Sequence, residues 1–312
     1  MDAAVLTEPG TPTFASFDEP VAGPGQVVVD VRVAGVNPVD VATAAGAFVT
    51  KPPFPSVAGR EGVGAVEGRR VYFNGCVAPF GSMAQHALVP ADSLFDVPDG
   101  LDDGLAVALG IAGLAAWLPL QWRARLQPGE TVLVLGASGV LGTIAVQAAK
   151  VLGAGRVVAV ARDGESLRRL AGLGADATVE LAGDESVPAI AERIREAAGG
   201  GVDVTIDPVW GQPALAAMGA ARMGMRHVQI GHSAAPSAEL VAGGFRETMT
   251  DLLGYTTRHV PKDVVARGWA ELTGHAADGR IAVEVERAPL ADVAAIWARQ
   301  TSFAHRKLVL EP

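Results

Sequence analysis

The sequence predicts an α/β protein in which a doubly wound parallel sheet follows a smaller β-barrel domain. Between about residues 105 and 231, strand-like and helical runs alternate, which is typical of βαβ units and of a parallel sheet with helices on both faces. The first hundred residues instead carry short strands between glycine and proline turns. A length of 312 residues favours two domains over one.

The predicted barrel takes strands from both ends of the chain. Its N-terminal strands are β-branched, partly alternating runs: QVVVDVRVAGV (26–36), GVGAVEGRRVYF (62–73) and QHALVP (85–90). After Arg280 the pattern is β-like again, with IAVEVE, a helix over 290–299 and then KLVLEP, and this last strand is expected to rejoin the first domain. We assign 1–105 and 275–312 to the barrel domain and 106–274 to an inserted βα domain.

The inserted domain is predicted from the alternation itself. Its strands are expected at 131–136, 156–161, 177–181, 202–207 and 226–231, and its helices at 140–152, 165–173, 187–198 and 212–221. The longest apolar stretch, LAVALGIAGLAAWLPL (105–120), is shorter than the ~20 residues of a membrane span and contains a proline. We interpret that stretch as a buried helix.

Charge and composition exclude several classes of partner. The formal net charge is −9 and the pI is ≈ 5.2, which argues against nucleic acid and anionic membranes because both require clustered Lys and Arg. Cys76 is the single cysteine, so no internal disulfide can form, and the N-terminal MDAAVLTEPG has an acid where a signal peptide needs basic residues. The sequence therefore predicts a cytoplasmic protein whose partner is neither nucleic acid nor a membrane.

A glycine-rich turn opens the alternating domain. In VLVLGASGVLGTIAVQAAK (132–150), three glycines follow a strand and lead into an apolar helix. Glycine allows a tight turn and a close approach of backbone N–H groups to a pyrophosphate, while the helix N-terminus contributes partial positive charge. Such a turn can also be purely structural, but its place in the domain favours dinucleotide binding. The predicted contacts are Gly136, Ser138, Gly139, Val140, Leu141 and Gly142.

Seven stretches together resemble one family. They are VAGVNPVD (33–40), PSVAGREGVGAVEG (55–68), GSMAQHALVPADSLFDVPDGL (81–101), LQPGETVLVLGASGVLGTIAVQAAKVLGA (126–154), LGAD (173–176), VDVTIDPVWG (202–211) and KLVL (307–310). In this order the chain resembles the medium-chain dehydrogenases/reductases, specifically their zinc-free quinone oxidoreductase (zeta-crystallin-like) branch. The resemblance implies a GroES-like barrel domain built from both ends of the chain, with a Rossmann domain between.

No metal is expected. Where the related zinc alcohol dehydrogenases carry a cysteine and a histidine as zinc ligands, this chain has Asn37 and Arg60, and one cysteine cannot supply their second, four-cysteine site. Zinc takes thiolate, imidazole or carboxylate ligands, which an amide and a guanidinium cannot replace. The predicted activity is therefore transfer of a hydride from NADPH to an acceptor that is already electrophilic, a quinone or an α,β-unsaturated carbonyl.

Several side chains are candidates for the reaction site. Asn37 is the predicted catalytic and cofactor-orienting residue, because its amide both donates and accepts; the alternative is that it only shapes the turn before Pro38. Asp40 is expected to be a turn or helix cap rather than an acid. Phe48 stands where the family usually has a tyrosine near the substrate. Its ring is expected to contact the substrate, but it lacks the hydroxyl that a tyrosine would provide.

Three further residues are possible proton donors to the reduced product: Tyr72, His232 and Tyr255. Tyr72 and His232 are also predicted to contact the substrate. Asp207-Pro208-Val209 and Gly231-His232-Ser233 end the fourth and fifth predicted strands of the nucleotide domain, and ligands sit beyond the carboxyl ends of such strands. We therefore expect Gly231 and His232 to contact the nicotinamide side of the cofactor.

The second strand of the nucleotide domain predicts NADPH rather than NADH. NAD-specific domains end this strand with an acid that binds the ribose diol and repels a 2′-phosphate, whereas RVVAVARD has Ala161 there, followed by Arg162. The planar guanidinium of Arg162 suits a phosphate. Asp163 is expected to neutralise Arg162 in part, and Arg168 and Arg169 lie close in the sequence.

The remaining expectations concern assembly and alternative functions. DLLGYTT (251–257) matches the segment through which relatives join their sheets, which predicts a homodimer. An enoyl-thioester reductase of the same superfamily is an alternative enzyme, although no basic patch for a carrier phosphate is evident. A non-enzymatic, crystallin-like nucleotide-binding protein is the alternative outside enzymes. A short-chain dehydrogenase fits less well, because no Tyr-x-x-x-Lys pair surrounds either tyrosine.

Overall fold

The computed structural model describes residues 1–49, 51–302 and 304–312, and these residues form two compact units. Unit 1 contains Met1–Ile111 and Trp269–Pro312, and unit 2 contains Ala112–Gly268. The chain therefore leaves unit 1 and returns to it, so that both chain ends belong to the same unit.

Strands and helices follow one another as the sequence pattern suggests. The strands are β1 (Asp2–Leu6), β2 (Thr13–Ser16), β3 (Gln26–Val36), β4 (Ser56–Val57), β5 (Glu61–Val66), β6 (Arg69–Asn74), β7 (His86–Pro90), β8 (Leu94–Asp96), β9 (Thr131–Leu135), β10 (Arg156–Ala161), β11 (Ala177–Glu180), β12 (Val202–Asp207), β13 (Ala221–Gln229), β14 (Asp251–Gly254), β15 (Val285–Pro289) and β16 (Lys307–Glu311). The helices are α1 (Pro38–Ala44), α2 (Asp103–Ala108), α3 (Leu114–Leu118), α4 (Val140–Val151), α5 (Gly164–Ala171), α6 (Val187–Ala197), α7 (Gly211–Gly219), α8 (Ala242–Thr248), α9 (Lys262–Ala277) and α10 (Val293–Thr301).

Unit 1 is built on two sheets. One has the order β2-β1-β4, and the other has the order β15-β16-β3-β5-β6-β8, with β7 also paired to β3. β16 runs antiparallel to β3, so the strand nearest the C-terminus shares a sheet with one from the N-terminal segment. The predicted single run at 62–73 is a hairpin of β5 and β6, because Glu67 and Gly68 both adopt positive φ and reverse the chain.

Unit 2 is a parallel sheet with the order β11-β10-β9-β12-β13-β14. This is the 3-2-1-4-5-6 order of a Rossmann fold, which confirms the predicted doubly wound sheet. The central strand β9 is buried along its whole length, as expected for a strand covered on both faces. The carboxyl ends of β9 and β12 lie side by side where the strand order reverses.

The predicted buried helix is longer than its apolar core. Helical structure runs over 21 residues from Asp103 to Arg123, which is long and apolar enough to cross a membrane by length and composition alone. An 18-residue window of it has a mean hydropathy of 1.6 and is 72% buried. The expectation that it is too short for a span is therefore wrong, whereas its burial was predicted correctly. Gly110 interrupts the regular helix with a non-helical ψ. Glycine is required at this position because a Cβ would lie 2.1 Å from the hydroxyl of Tyr72.

One predicted strand is displaced. The run IAVEVE was expected to be extended from residue 281, but the strand of this segment, β15, spans Val285–Pro289 and pairs in parallel with β16. Ile281 is almost fully buried while residues of β15 are only half covered. The alternating pattern at this point therefore reflects the burial of Ile281, which does not belong to the strand.

Candidate active site

The glycine turn after β9 has the backbone that a dinucleotide site needs. Gly136 adopts a left-handed φ of 61°, and a Cβ on it would lie 2.8 Å from a methyl carbon of Val209. A Cβ on Gly142 would lie 2.4 Å from the carbonyl oxygen of Gly136, so the first turn of α4 can pack on this loop only with glycine there. Both glycines are required by the fold of the turn itself.

Gly139 differs from the other two glycines. It precedes α4 without any side chain that could cap the helix, and the nearest atom to a Cβ there would be the Gly136 oxygen, at 3.5 Å. The first N–H groups of a helix have no partner within it, so those of Val140 and Leu141 remain available to an anion in front of this glycine. Ser138 lies in the same turn and is half-buried. The turn therefore fits the phosphates of a dinucleotide.

The end of β10 places Arg162 as predicted. Ala161 is the last residue of the strand and Arg162 follows it with an exposed side chain. The carboxylate of Asp163 caps α5, accepting hydrogen bonds from the backbone N–H groups of Glu165 (3.2 Å) and Ser166 (3.4 Å). Asp163 is therefore engaged by its own helix.

The sequence analysis did not identify an acidic residue, Glu180, that lies beside the end of β10. Glu180 is the last residue of β11 and pairs in register with Ala161. Its carboxylate lies against Gly164, where a Cβ would come within 2.5 Å of Oε2. The parallel register of two adjacent strands is the signal that could have found it, because it sets the final residues of β10 and β11 side by side.

A buried pair supports the loop after β12. Asp207 and His227 are both fully buried, and His227 Nε2 lies 2.8 Å from Asp207 Oδ2. The other carboxylate oxygen accepts hydrogen bonds from the N–H groups of Val209 (2.9 Å) and Trp210 (2.8 Å). Asp207 therefore holds the loop after β12 through hydrogen bonds to its backbone. Neither Asp207 nor His227 is exposed to a ligand.

Trp210 has a strained backbone beside a cavity. Its backbone, with φ of 60° and ψ of −166°, adopts a conformation that residues other than glycine rarely adopt. Trp210 lines a cavity of about 460 Å³ in unit 2, together with Gln229, His232, Pro236, Leu252 and Gly254. Gly231 is needed here, because a Cβ on it would lie 2.7 Å from the carbonyl oxygen of Pro208. The structure thus brings the predicted residues His232 and Gly231 to one loop cluster.

Asn37 lies inside unit 1 rather than on a surface, with only 4% of its side chain exposed. Its Nδ2 donates to Glu61 Oε1 (2.8 Å) and Asp40 Oδ2 (3.2 Å), and its Oδ1 accepts from Lys307 Nζ (2.7 Å). Both N–H bonds of the amide are thus used within the protein. These contacts support the turn-shaping alternative, and a contact of Asn37 with the cofactor or acceptor stays a prediction.

Asp40 caps α1, as predicted. Its Oδ2 accepts a hydrogen bond from the backbone N–H of Asn37 at 2.9 Å. Burial and the nearby Glu61 carboxylate raise the pKa of Asp40 from its usual 3.8 to about 6.

Glu61 is the centre of this buried network, and the sequence did not single it out. Besides Asn37, it accepts hydrogen bonds from Lys307 Nζ (2.7 Å), the Tyr72 hydroxyl (2.8 Å) and the backbone N–H of Ile111 (2.8 Å). The available signal was a charged residue at the start of each of two apolar runs, Glu61 in EGVGAV and Lys307 in KLVL.

Neither tyrosine predicted as a possible proton donor reaches a free surface in the structure. Tyr72 is fully buried and stacked on Trp269 at 4.4 Å, and burial together with Glu61 raises the pKa of Tyr72 well above its usual value. The Tyr255 hydroxyl lies within hydrogen-bond distance of the Leu114 carbonyl oxygen (3.4 Å) and Thr257 (3.0 Å). Tyr72 has a structural role here, in its contacts with Trp269 and Glu61, and its substrate contact stays a prediction.

Phe48 remains half-exposed, with the guanidinium carbon of Arg60 5.6 Å from the centre of its ring. Among the residues that the structure describes, no group of three or more His, Cys, Asp or Glu side chains is arranged to hold a metal ion.

Two family models match this chain. Residues 23–99 match the alcohol dehydrogenase GroES-like domain, and residues 140–266 match the zinc-binding dehydrogenase family. The first falls within unit 1 and the second within unit 2. The two units are thus a GroES-like domain and a Rossmann domain, the pair that defines a class of nicotinamide-dependent oxidoreductases.

Individual relatives agree with this class. The quinone oxidoreductase-like protein 2 of Mus musculus is 32% identical over 222 residues, which is 67% of this chain and 61% of that protein. The quinone oxidoreductase of Thermus thermophilus, solved also in complex with NADPH, superposes with a TM-score of 0.85 at 29% identity over 100% of both chains. A mycocerosic acid synthase-like polyketide synthase of Mycobacterium tuberculosis is 34% identical over 230 residues, 70% of this chain and 10% of the synthase. The chain belongs to the medium-chain dehydrogenase/reductase family, in its quinone oxidoreductase branch.

Proposed function

We propose that the protein is an NADPH-dependent, metal-free oxidoreductase that transfers a hydride to a quinone or to an α,β-unsaturated carbonyl. The observation that carries this proposal is the uncapped N-terminus of α4 in front of Gly139, with the exposed Arg162 at the end of the neighbouring strand. The NADPH complex of the Thermus thermophilus quinone oxidoreductase supports the choice of cofactor.

The residues of unit 2 bind and orient the cofactor. The N–H groups of Val140 and Leu141 hold its phosphates, and Arg162 pairs with the 2′-phosphate of the adenosine ribose. Bound NADPH supplies the hydride. His232, which lines the cavity with Trp210, and the adjacent Gly231 hold the nicotinamide side, while the buried Asp207 keeps the loop after β12 in place.

The absence of a metal follows from the chemistry of two side chains. Asn37 stands where zinc relatives have a cysteine, and its amide is hydrogen-bonded to Lys307, whose ammonium would repel a cation. Arg60 stands at the histidine position, and its guanidinium cannot act as a ligand because it has N–H donors and no acceptor atom. We expect elemental analysis to find no stoichiometric zinc and a chelator to leave turnover intact. Zinc whose removal abolishes turnover would contradict the metal-free proposal.

The proposed reaction is tested by following NADPH absorbance at 340 nm with a panel of neutral quinones and enones. We expect acceptor-dependent oxidation of NADPH, faster than with NADH. Tight NADPH binding without turnover of any acceptor would instead support the non-enzymatic, crystallin-like alternative.

We also propose that the functional form of the protein is a cytoplasmic homodimer.

A second candidate is an enoyl-thioester reductase of the same superfamily, and the match to part of a polyketide synthase favours it. The same hydride transfer would then reduce a thioester-conjugated alkene. A kcat/KM for an enoyl thioester far above that for the matching free enone would favour an enoyl-thioester reductase over a quinone or enone oxidoreductase.

A further inference from the structure

A cavity of about 170 Å³ lies within unit 1, and nothing described so far uses it. Its lining includes the charged Asp40, Lys51 and Arg60, the polar Thr43, Ser56 and Cys76, and the apolar Pro52 and Phe80. A cavity of about 150 Å³ lined by apolar groups holds a benzene molecule, so this one has room for a single six-membered ring.

The two cations on its wall are not paired within the protein. Among the described residues, neither the Arg60 guanidinium nor the Lys51 ammonium makes a hydrogen bond or an ion pair; Arg60 contacts the ring of Phe48, 5.6 Å from its centre. Glu61, fully buried, is bonded to Lys307 at 2.7 Å.

The balance of charge in the cavity is positive. Arg60 and Lys51 contribute two positive charges, and Asp40 contributes at most one negative charge, which is already hydrogen-bonded by the N–H groups of Asn37. A bound carboxylate would neutralise the remaining positive charge. Guanidinium binds carboxylate through two parallel hydrogen bonds, which are stronger than bonds between neutral groups.

We propose that this cavity binds the carboxylate of a cyclic or aromatic acceptor, with Arg60 as its main donor and Lys51 as a second cation. The inference rests on the proposed function, because it names the class of acceptor: an anionic quinone or enone in preference to a neutral one. Phe48 holds the guanidinium in place, and Pro52 and Phe80 contact the ring.

Binding can be tested without cofactor or turnover. Calorimetry with benzoate and its neutral analogue benzamide is carried out on the wild type, Arg60→Met and Arg60→Lys. The matched control is Arg32→Met, which removes an exposed arginine elsewhere in unit 1. Loss of a charged hydrogen bond corresponds to roughly 10-fold to 150-fold weaker binding.

We expect benzoate to bind more tightly than benzamide, to bind at least about tenfold more weakly to Arg60→Met, and to bind with intermediate affinity to Arg60→Lys. Arg32→Met should bind benzoate like the wild type. Benzoate binding that is undetectable in the wild type, equal to benzamide, or unchanged in Arg60→Met would overturn the proposal.

Turnover separates this inference from the proposed function. With NADPH, an enone and its carboxylated analogue are compared as substrates, and the carboxylated one should have the lower KM. Arg60→Met should abolish that preference and Arg32→Met should keep it. Turnover of both acceptors with equal KM would refute the carboxylate site alone, whereas turnover of neither would refute the proposed function.

Discussion

At the residue scale, Arg162 is expected to decide cofactor choice. Replacing Arg162 with Ala removes a charged hydrogen bond worth roughly 1.5–3 kcal/mol, so NADPH should bind about 10-fold to 150-fold more weakly while NADH binding changes little. Fluorescence titration of both cofactors measures this, and Arg246→Ala, an exposed arginine of the same unit, is the control. Equal affinity of the wild type for both cofactors, or full NADPH affinity in the variant, would remove Arg162 from the site.

The buried ion pair of Lys307 and Glu61 is expected to matter for stability. Lys307→Met leaves the Glu61 carboxylate buried without its cation, which costs about 3–5 kcal/mol in the free energy of unfolding. Adding Glu61→Gln should recover part of this loss, because no unpaired charge then remains. Urea unfolding measures both variants against the exposed Lys262→Met; a loss no larger than in that control would show that the pair is dispensable.

Asp40 is expected to make stability depend on pH. The pKa of Asp40 is raised from 3.8 to about 6, so between these values the folded protein holds a proton that the unfolded chain has released. Folding is therefore favoured at the acidic end, and the contribution of Asp40 is lost as pH rises from about 4 to about 6. Asp40→Asn should flatten this part of the curve of unfolding free energy against pH, and an unchanged curve would show that Asp40 titrates normally.

Single residues were predicted best where the backbone dictates the residue type. Gly136 and Gly142 were identified because a strand-turn-helix geometry admits no Cβ at these positions. Asn37 and Tyr72 were assigned to the reaction site, but tertiary burial places both in a hydrogen-bonded network. No local pattern could reveal that network, because Lys307 reaches Glu61 across 246 positions of sequence.

At the scale of elements, β14 is expected to carry the proposed dimer. It stands at the edge of the unit 2 sheet, its Leu252 side chain is 40% exposed, and an exposed sheet edge is a site for pairing with another chain. Leu252→Lys should place a charge in that pairing and shift the protein to a monomer in light scattering. Met223→Lys, in β13, is the control for loss of an exposed apolar side chain; a wild type of about 32 kDa in solution would contradict the dimer.

Elements were predicted well in the Rossmann unit and less well at its flanks. Strands β9, β10 and β12 were found within one residue because continuous β-branched runs mark buried parallel strands. The hairpin of β5 and β6 was treated as one run. Glu67 adopts a left-handed backbone conformation at the turn, which a glutamate in the sequence does not predict. The strained Trp210 was overlooked for the same reason.

At the scale of the whole molecule, the order of the units followed from the sequence. The change from short strands to βα alternation and back predicts a nucleotide domain inserted into a barrel-like one, and the strand order of unit 2 agrees with it. The sequence could not give the acceptor, because the side chains that line each cavity come from separate stretches of the chain. The cavity of unit 1, for example, combines Asp40 with the loop from Gly75 to Phe80.

Direct hydride transfer from NADPH to an acceptor is the central claim, and isotope labelling tests it most directly. NADPH deuterated at C4 of the nicotinamide is incubated with the chelator-treated protein and a neutral enone, and the product is analysed by mass spectrometry. We predict one deuterium, from one face of the nicotinamide, bound to the β-carbon of the saturated product. A product without deuterium on that carbon, or no reduced product while NADPH is bound, would contradict the claim.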